Sequence, residues 1–278
     1  MTKTVMFVFG GRRANLELQL PFIHRILDED KSIEYHLWNT ARDPLDAQWM
    51  QTCRTHRRMH VHNLFQGQPT GQAWNAVYRY YATPAFKDCR FIKLDDDVVF
   101  IQALDVPHFI DAMDNNPHAV VSANTINNGA CALTTPALHD QLKGIRVRWL
   151  DVHKSVDFAR ISHNWFLDNW DDVLGDSDAW VPTKEWLSIN FIGYDYDMAR
   201  RFAKLLGTTS PRVIAGRSFR GYDKLGDEGM VNTLPRIITK GFTVAHLTFG
   251  PQERKDPQLF DDLRKRYAEV NRKYLETR

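Results

Sequence analysis

Short, unbroken apolar runs alternate along this chain with longer segments of helical period, and that alternation leaves one broad choice of fold. Residues 4–9 (TVMFVF) are apolar throughout, β-prone, and closed by Gly10 and Gly11. A strand with one wet face alternates polar and apolar, whereas a run apolar on both faces predicts a strand covered on both sides, as in a parallel sheet. Leu16, Leu20, Ile23, Ile26 and Leu27 then recur at helical spacing, with Pro21 expected either to kink that helix or to sit in its first turn. Residues 33–38 predict a second strand, Trp49 and Met50 a short helix, and residues 59–64 (MHVHNL) a third strand. Thr70 is the expected cap of a helix whose apolar face is Trp74, Val77, Tyr78 and Tyr81. Residues 90–94 (RFIKL), 98–101 and 119–122 (AVVS) read as further strands. Strands and helices in this order predict βαβ units: an α/β fold with a mostly parallel sheet flanked by helices.

After about residue 125 the pattern becomes irregular, with more turns, more Trp and shorter helices, so this half is expected to cover the strand ends. Residues 257–274 predict a C-terminal amphipathic helix through Phe260, Leu263, Tyr267, Val270 and Tyr274. No internal repeat or Gly-, Ser- or Pro-rich linker interrupts the 278 residues, which predicts one domain: a first half over 1–125, a second over 126–256 and the helix over 257–278. Hydrophobic residues at 43% and charged residues at 25% exclude a disordered chain. Three widely spaced cysteines, Cys53, Cys89 and Cys131, argue against a disulfide framework or a zinc knuckle and fit a reducing compartment. With no signal-peptide pattern and no apolar stretch near the ~20 residues that span a bilayer, the expectation is a soluble, cytoplasmic protein without membrane insertion. A net charge of +2 does not of itself imply a polyanionic partner. Two basic runs are nevertheless local candidates for phosphate-rich ligands: Arg54 to His62, and Arg264, Lys265, Arg266, Arg272 and Lys273.

Asp95, Asp96 and Asp97 stand together at the end of the apolar run RFIKL. Three carboxylates this close repel and raise one another's pKa, and a divalent cation relieves that repulsion. Oxygen ligands suit Mg²⁺ or Mn²⁺. In open α/β sheets, ligands bind beyond the carboxyl ends of the strands, which is where the triplet falls. The plainer alternative is an acidic turn paired with Lys93 or a nearby Arg.

FIKLDDDVVF resembles the D-x-D region of GT-A fold glycosyltransferases. Gly71, Ala73 and Asn75 in TGQAWNAVYRYY resemble the helix that precedes that strand in many such enzymes, and HLTFGPQERK resembles the segment that supplies their last metal ligand as a histidine. The resemblance implies a metal-dependent transferase that moves a sugar from a nucleotide-sugar, UDP being the commonest carrier in the family, to an acceptor hydroxyl. It implies Asp97, Asp95 and His246 around Mn²⁺ or Mg²⁺, with Asp95 facing the ribose or the metal's water shell. The candidate donor-binding residues are Phe9, Gly10, Arg12, Arg13, Trp38, Asn75, Lys93, Asp95, Asp96, Arg254 and Lys255, with Arg12, Arg13, Arg254 and Lys255 equally readable as surface charges and Trp38 as a core residue. Imidazole joins carboxylates more naturally around Mn²⁺ than around Mg²⁺.

Gly226, Asp227, Glu228 and Gly229 precede MVNTLPRI, which reads as a helix start with acidic residues in its first turn. Inverting GT-A enzymes open a helix here with Glu-Asp, one carboxylate taking the acceptor's proton. This chain has Asp-Glu, so Glu228 and Asp227 both stand as candidate bases. Trp186 and Asn190 in KEWLSINFIGYD are the acceptor-side candidates. No GxGxxG or Walker A loop follows the first strand, so neither a nicotinamide cofactor nor ATP is implied.

FGGRRANLELQLPFIHRIL, IEYHLWN and AHLTFGPQE resemble phage-type GT-A enzymes, some linked to glycosylation of hydroxymethylated pyrimidines in DNA. That resemblance implies double-stranded DNA as one acceptor and the host cytoplasm as the place of action. The alternatives are a surface glycan, a lipid-linked sugar or a protein as acceptor, and a sugar-nucleotide-binding protein that has lost catalysis.

Overall fold

In the computed structural model, the described residues are 2–147, 149–175, 177–206, 212–214, 217–219 and 228–277. The chain runs β1 (Lys3–Gly10), α1 (Arg13–Glu29), β2 (Ile33–Asn39), α2 (Pro44–Met50), β3 (Met59–His62), α3 (Thr70–Tyr81), β4 (Cys89–Asp95), β5 (Val98–Ile101), α4 (Val106–Asp114) and β6 (Val120–Ile126). It continues through α5 (Gly129–Leu133), α6 (Pro136–Leu142), α7 (Val156–Val173), β7 (Trp180–Pro182), β8 (Phe191–Asp195) and α8 (Tyr196–Leu205). A small pair, β9 (Arg212–Ile214) and β10 (Arg217–Phe219), precedes β11 (Arg236–His246), α9 (Gly250–Lys255) and α10 (Pro257–Thr277). The expected α/β fold with a C-terminal helix is present.

The main sheet is ordered β3-β2-β1-β4-β8-β6-β11-β5, with β7 also on β11. β1, β2, β3 and β4 pair in parallel, as do β6 and β11. β8 runs against both β4 and β6, and β5 and β7 run against β11. Most strands therefore end on one rim, which carries Gly10, Asn39, Asp95, Ile126 and His246. The antiparallel β8, absent from the sequence reading, has Gly193 where a Cβ would lie 2.4 Å from Met113 Sδ and 2.7 Å from Phe109 Cε1, so α4 packs directly on the strand backbone.

The continuous apolar runs form strands buried on both faces: β1 is covered from Thr4 to Gly10. One core cluster joins α1, α4, α7 and α10 to the sheet through Leu16, Phe22, Phe100, Phe109, Phe166, Phe260 and Tyr274. The other face is covered by α3 and α8 through Val77, Tyr78, Tyr81, Met198 and Phe202. Asp43 caps α2, Ser155 caps α7 and Asp195 caps α8, each accepting a backbone N–H.

Thr70 does not cap α3. It is the first helical residue, after Pro69, and its hydroxyl instead accepts from Arg42 Nη2 at 2.8 Å. Pro21 lies well inside α1 rather than in its first turn. The helix expected over MVNTLPRI is replaced by a short 3-10 turn, Glu228–Thr233, and then β11. Among the described residues no helix is long and apolar enough to cross a membrane.

Candidate metal and nucleotide site

Asp95 ends β4, and Asp96 and Asp97 make the turn into β5. That turn is gripped from two directions. Gln19 of α1 donates its amide to Asp95 O and Val98 O, both at 2.9 Å, and is itself held by the Tyr35 hydroxyl at 3.1 Å. Just past the end of β11, Leu247 N donates to Asp97 O at 2.8 Å, which seats His246 beside the acidic turn. The one signal of Gln19 in the sequence is a polar residue within the apolar stripe of α1.

Each carboxylate has a different environment. Asp95 accepts from Asn190 Nδ2 at 3.0 Å on Oδ2 and from Lys93 Nζ on Oδ1. Lys93 is fully buried, also donates to Ile189 O at 2.9 Å, and stands 3.9 Å from Glu228 Oε1 and 5.8 Å from the centre of the Phe9 ring. Burial opposes its charge, but Asp95 and then Glu228 raise its pKa above the usual value. Asp96 accepts from Gly11 N at 2.8 Å and from Arg12 Nη2 at 2.5 Å. Arg12 Nη2 also lies 2.7 Å from Asp97 Oδ2. Burial works against ionisation at both acids. At Asp97, Arg12 and then His246 overcome it and hold the carboxyl well below the usual range. At Asp96, burial prevails over Arg12 and the pKa is raised.

Asp95, Asp97 and His246 present ligand atoms within 4.8 Å of one another. His246 Nε2 is 3.0 Å from Asp97 Oδ1 and 3.8 Å from Asp95 Oδ2. With metal–ligand bonds of about 2.1 Å, neighbouring ligands of an octahedral ion lie about 3 Å apart, so this spacing suits one ion. Asp97 Oδ1 is buried without a hydrogen-bond partner among the described residues, despite its nearness to the imidazole. Two carboxylate oxygens, one of them unsatisfied, and an imidazole fit a divalent cation, and the mixed donor set favours Mn²⁺.

Beside the triad opens a cleft of about 400 Å³ lined by Phe9, Gly11, Arg12, Thr40, Arg42, Thr70, Trp74, Asp96 and Gly250. Phe9, Arg12 and Asp96, singled out in the sequence, therefore meet here, while Arg42, Thr70 and Trp74 join them from positions not chosen for this role. Arg254 stands just behind Gly250, where an added Cβ would come within 3.1 Å of its Nη1. The other candidates are not among the residues that line this cleft. Gly10 packs on Leu37 and Met50. Arg13 pairs with Glu17 at 2.7 Å and covers the Trp49 ring. Trp38 is buried, stacked between His62 and Phe65, with its Nε1 donating to the Tyr81 hydroxyl. Asn75 is buried, and Lys255 donates to Lys154 O. Glu228 accepts from the Tyr78 hydroxyl at 2.6 Å, whereas Asp227 lies outside the described residues. Asn190 joins Asp95, and Trp186 is half-buried.

The loop after His246 rests on a buried polar network. His163 Nε2 donates to Leu247 O at 2.7 Å, and its Nδ1 accepts from the Tyr267 hydroxyl at 2.7 Å. Gln252, fully buried, reaches Asn127 and the carbonyls of Val152 and Ser155. Burial pushes the His163 pKa down from 6.5 to about 3, so the ring is neutral when folded. An unfolded chain takes up that proton near pH 6.5 and the folded one does not. The stabilisation is therefore complete above pH 6.5 and is lost on acidification towards pH 3, at about 1.4 kcal/mol per pH unit. Urea melts at pH 7 and pH 5 are expected to show this loss, and His163→Gln to flatten it. An unchanged slope in that variant would assign the acid sensitivity to other groups.

No family model matches the sequence, and no curated protein matches it either. Among solved structures, the chain is similar to a 4-diphosphocytidyl-2C-methyl-D-erythritol synthase at 11% identity and TM-score 0.31, over 44% of this chain and 60% of that one. It is also similar to the glucosyl-3-phosphoglycerate synthase from Mycobacterium tuberculosis, in complex with phosphoglyceric acid, at 11% identity and TM-score 0.40, over 96% of this chain and 80% of that one.

Proposed function

We propose that this chain is a GT-A-type glycosyltransferase that binds a nucleoside-diphosphate sugar, with UDP as its carrier, and passes the sugar to an acceptor hydroxyl with inversion. The supporting observation is the convergence of Asp95, Asp97 and His246, from segments about 150 residues apart in the chain, beside a cleft carrying Arg12, Arg42 and Trp74. Asp95, Asp97 and His246 would hold Mn²⁺ or Mg²⁺, which when bound neutralises charge on a leaving diphosphate. Arg12 and Arg42 offer fixed positive charge to the phosphates, with Arg254 close behind. Phe9 and Trp74 offer aromatic surface to the base. Asn190 and Lys93 orient Asp95 from both sides. A Glu228 carboxylate oxygen, with Tyr78 hydrogen-bonded to that group, takes the proton of the attacking hydroxyl. Asp227 is the alternative base, and Trp186 a candidate wall for the acceptor.

Calorimetric titration of the protein with UDP is expected to show binding in Mn²⁺ and its loss in EDTA. Equal affinity in the two buffers would sink the metal-dependent reading. The acceptor hydroxyl belongs either to a hydroxymethylated pyrimidine in DNA or to a glycan, lipid-linked sugar or protein. Duplex affinity that falls steeply with salt selects the first. The basic run on α10 adds little free charge to such a track. Arg264, Lys265, Arg266 and Arg272 pair with Asp261, Asp262, Asp168 and Glu276 at 2.8 to 3.0 Å.

A further inference from the structure

At the opposite end of the strand order from β11, β2 and β3 place a second set of metal-ligating side chains together. Glu34 and His36 are two apart on β2 and so share a face, and His60 on β3 is the register partner of His36. Both imidazoles converge on the same carboxylate oxygen: Glu34 Oε2 lies 3.5 Å from His36 Nε2 and 3.8 Å from His60 Nε2. The three ligand atoms are within 4.8 Å of one another.

We propose that Glu34, His36 and His60 form a second metal site, for Zn²⁺ or a similar borderline transition ion, independent of the acidic rim. Tetrahedral zinc with bonds of about 2.0–2.1 Å spaces its ligand atoms about 3.3 Å apart, so the two separations from the Glu34 oxygen need to close by only a few tenths of an ångström, and the two imidazole nitrogens lie within 4.8 Å of each other. Two imidazoles and one carboxylate select zinc or cobalt over Mg²⁺ or Ca²⁺. An outer partner is already in place. His36 Nδ1 is 2.9 Å from the Tyr81 hydroxyl, which also accepts from Trp38 Nε1 at 2.8 Å. A metal on Nε2 would require the tautomer in which Nδ1–H donates to that hydroxyl, leaving the Nε2 lone pair to the ion.

The fourth position falls to water or to His62, which lies on the same face. Its ring centre is 4.7 Å from that of His36, and its buried Nε2 has no hydrogen-bond partner among the described residues. β3 terminates the strand order and His60 is 34% exposed, which supplies an entry path. The occupant to be displaced is Lys3, whose ammonium lies 2.6 Å from the same Glu34 oxygen on a side chain about half exposed.

The test uses the full chain carrying Asp97→Asn, so that the rim triad does not contribute, titrated with Co²⁺ and followed by visible absorption and by equilibrium dialysis with Zn²⁺. One ion per chain is expected, with the strong visible bands of four-coordinate cobalt. Adding His60→Ala, at a partly exposed position that should tolerate truncation, is expected to abolish the bands. Adding Glu34→Gln is expected to weaken binding at least about tenfold. Lys3→Met is expected to tighten it about two- to fivefold by removing a competing surface ion pair. Absence of bound metal in the Asp97→Asn chain, or bands that survive His60→Ala, would overturn the proposal.

Discussion

Replacing Asp97 by Asn is expected to lower metal-dependent turnover about a thousandfold, some 4 kcal/mol in the barrier, with the fold intact. The substitution keeps the shape of the side chain and removes one negative charge from a set of three ligands. Asp97 Oδ1 is the atom with no partner of its own, 3.0 Å from His246 Nε2, so a cation loses its most available oxygen. Arg12 retains Asp96 at 2.5 Å, so the guanidinium is not stranded and stability changes little. The measurements are steady-state turnover with a UDP-sugar and the rise in Tm on adding Mn²⁺. Both should vanish together, and wild-type turnover in Asp97→Asn would remove the metal from the reaction.

Glu228→Gln is expected to separate chemistry from binding. Turnover should fall about 10²- to 10⁴-fold, the range for loss of a general base, while donor affinity stays near that of the parent. Glutamine still accepts from the Tyr78 hydroxyl, and Lys93 keeps its stronger partner Asp95, so the surroundings hold. The pattern opposes that of Asp97→Asn, where donor binding itself is lost. If Glu228→Gln turns over normally and Asp227→Asn does not, the base is Asp227.

Two carboxylates thus carry different loads, and only one difference between them was visible as sequence. The triplet announced itself because three adjacent acids at a strand end are unfavourable without a cation or a partner. Its internal division of labour was not visible. Asp96 spends its oxygens on Gly11 N and Arg12, and so closes the loop after β1, because α1 begins within reach of the turn. Trp38 was open between a donor contact and a core position, and His62, Phe65 and Tyr81 enclose it. Trp74, one helical step before Val77 and Tyr78 and counted among the core positions of α3, lines the cleft instead.

The β-prone runs, the apolar period of α1, α3 and α10, and the clustered acids are local properties, and the chain alone determined them. Backbone hydrogen bonding and burial act on neighbours a few residues apart, so their traces survive in the order of the residues. The insertion of β8 against β4 and β6, the grip of Gln19 on the acidic turn, and the placing of Arg12 across Asp96 and Asp97 were decided only by the tertiary structure. Each depends on contacts between segments far apart in the chain, whose pairing is selected by packing of the whole core and leaves no spacing to read.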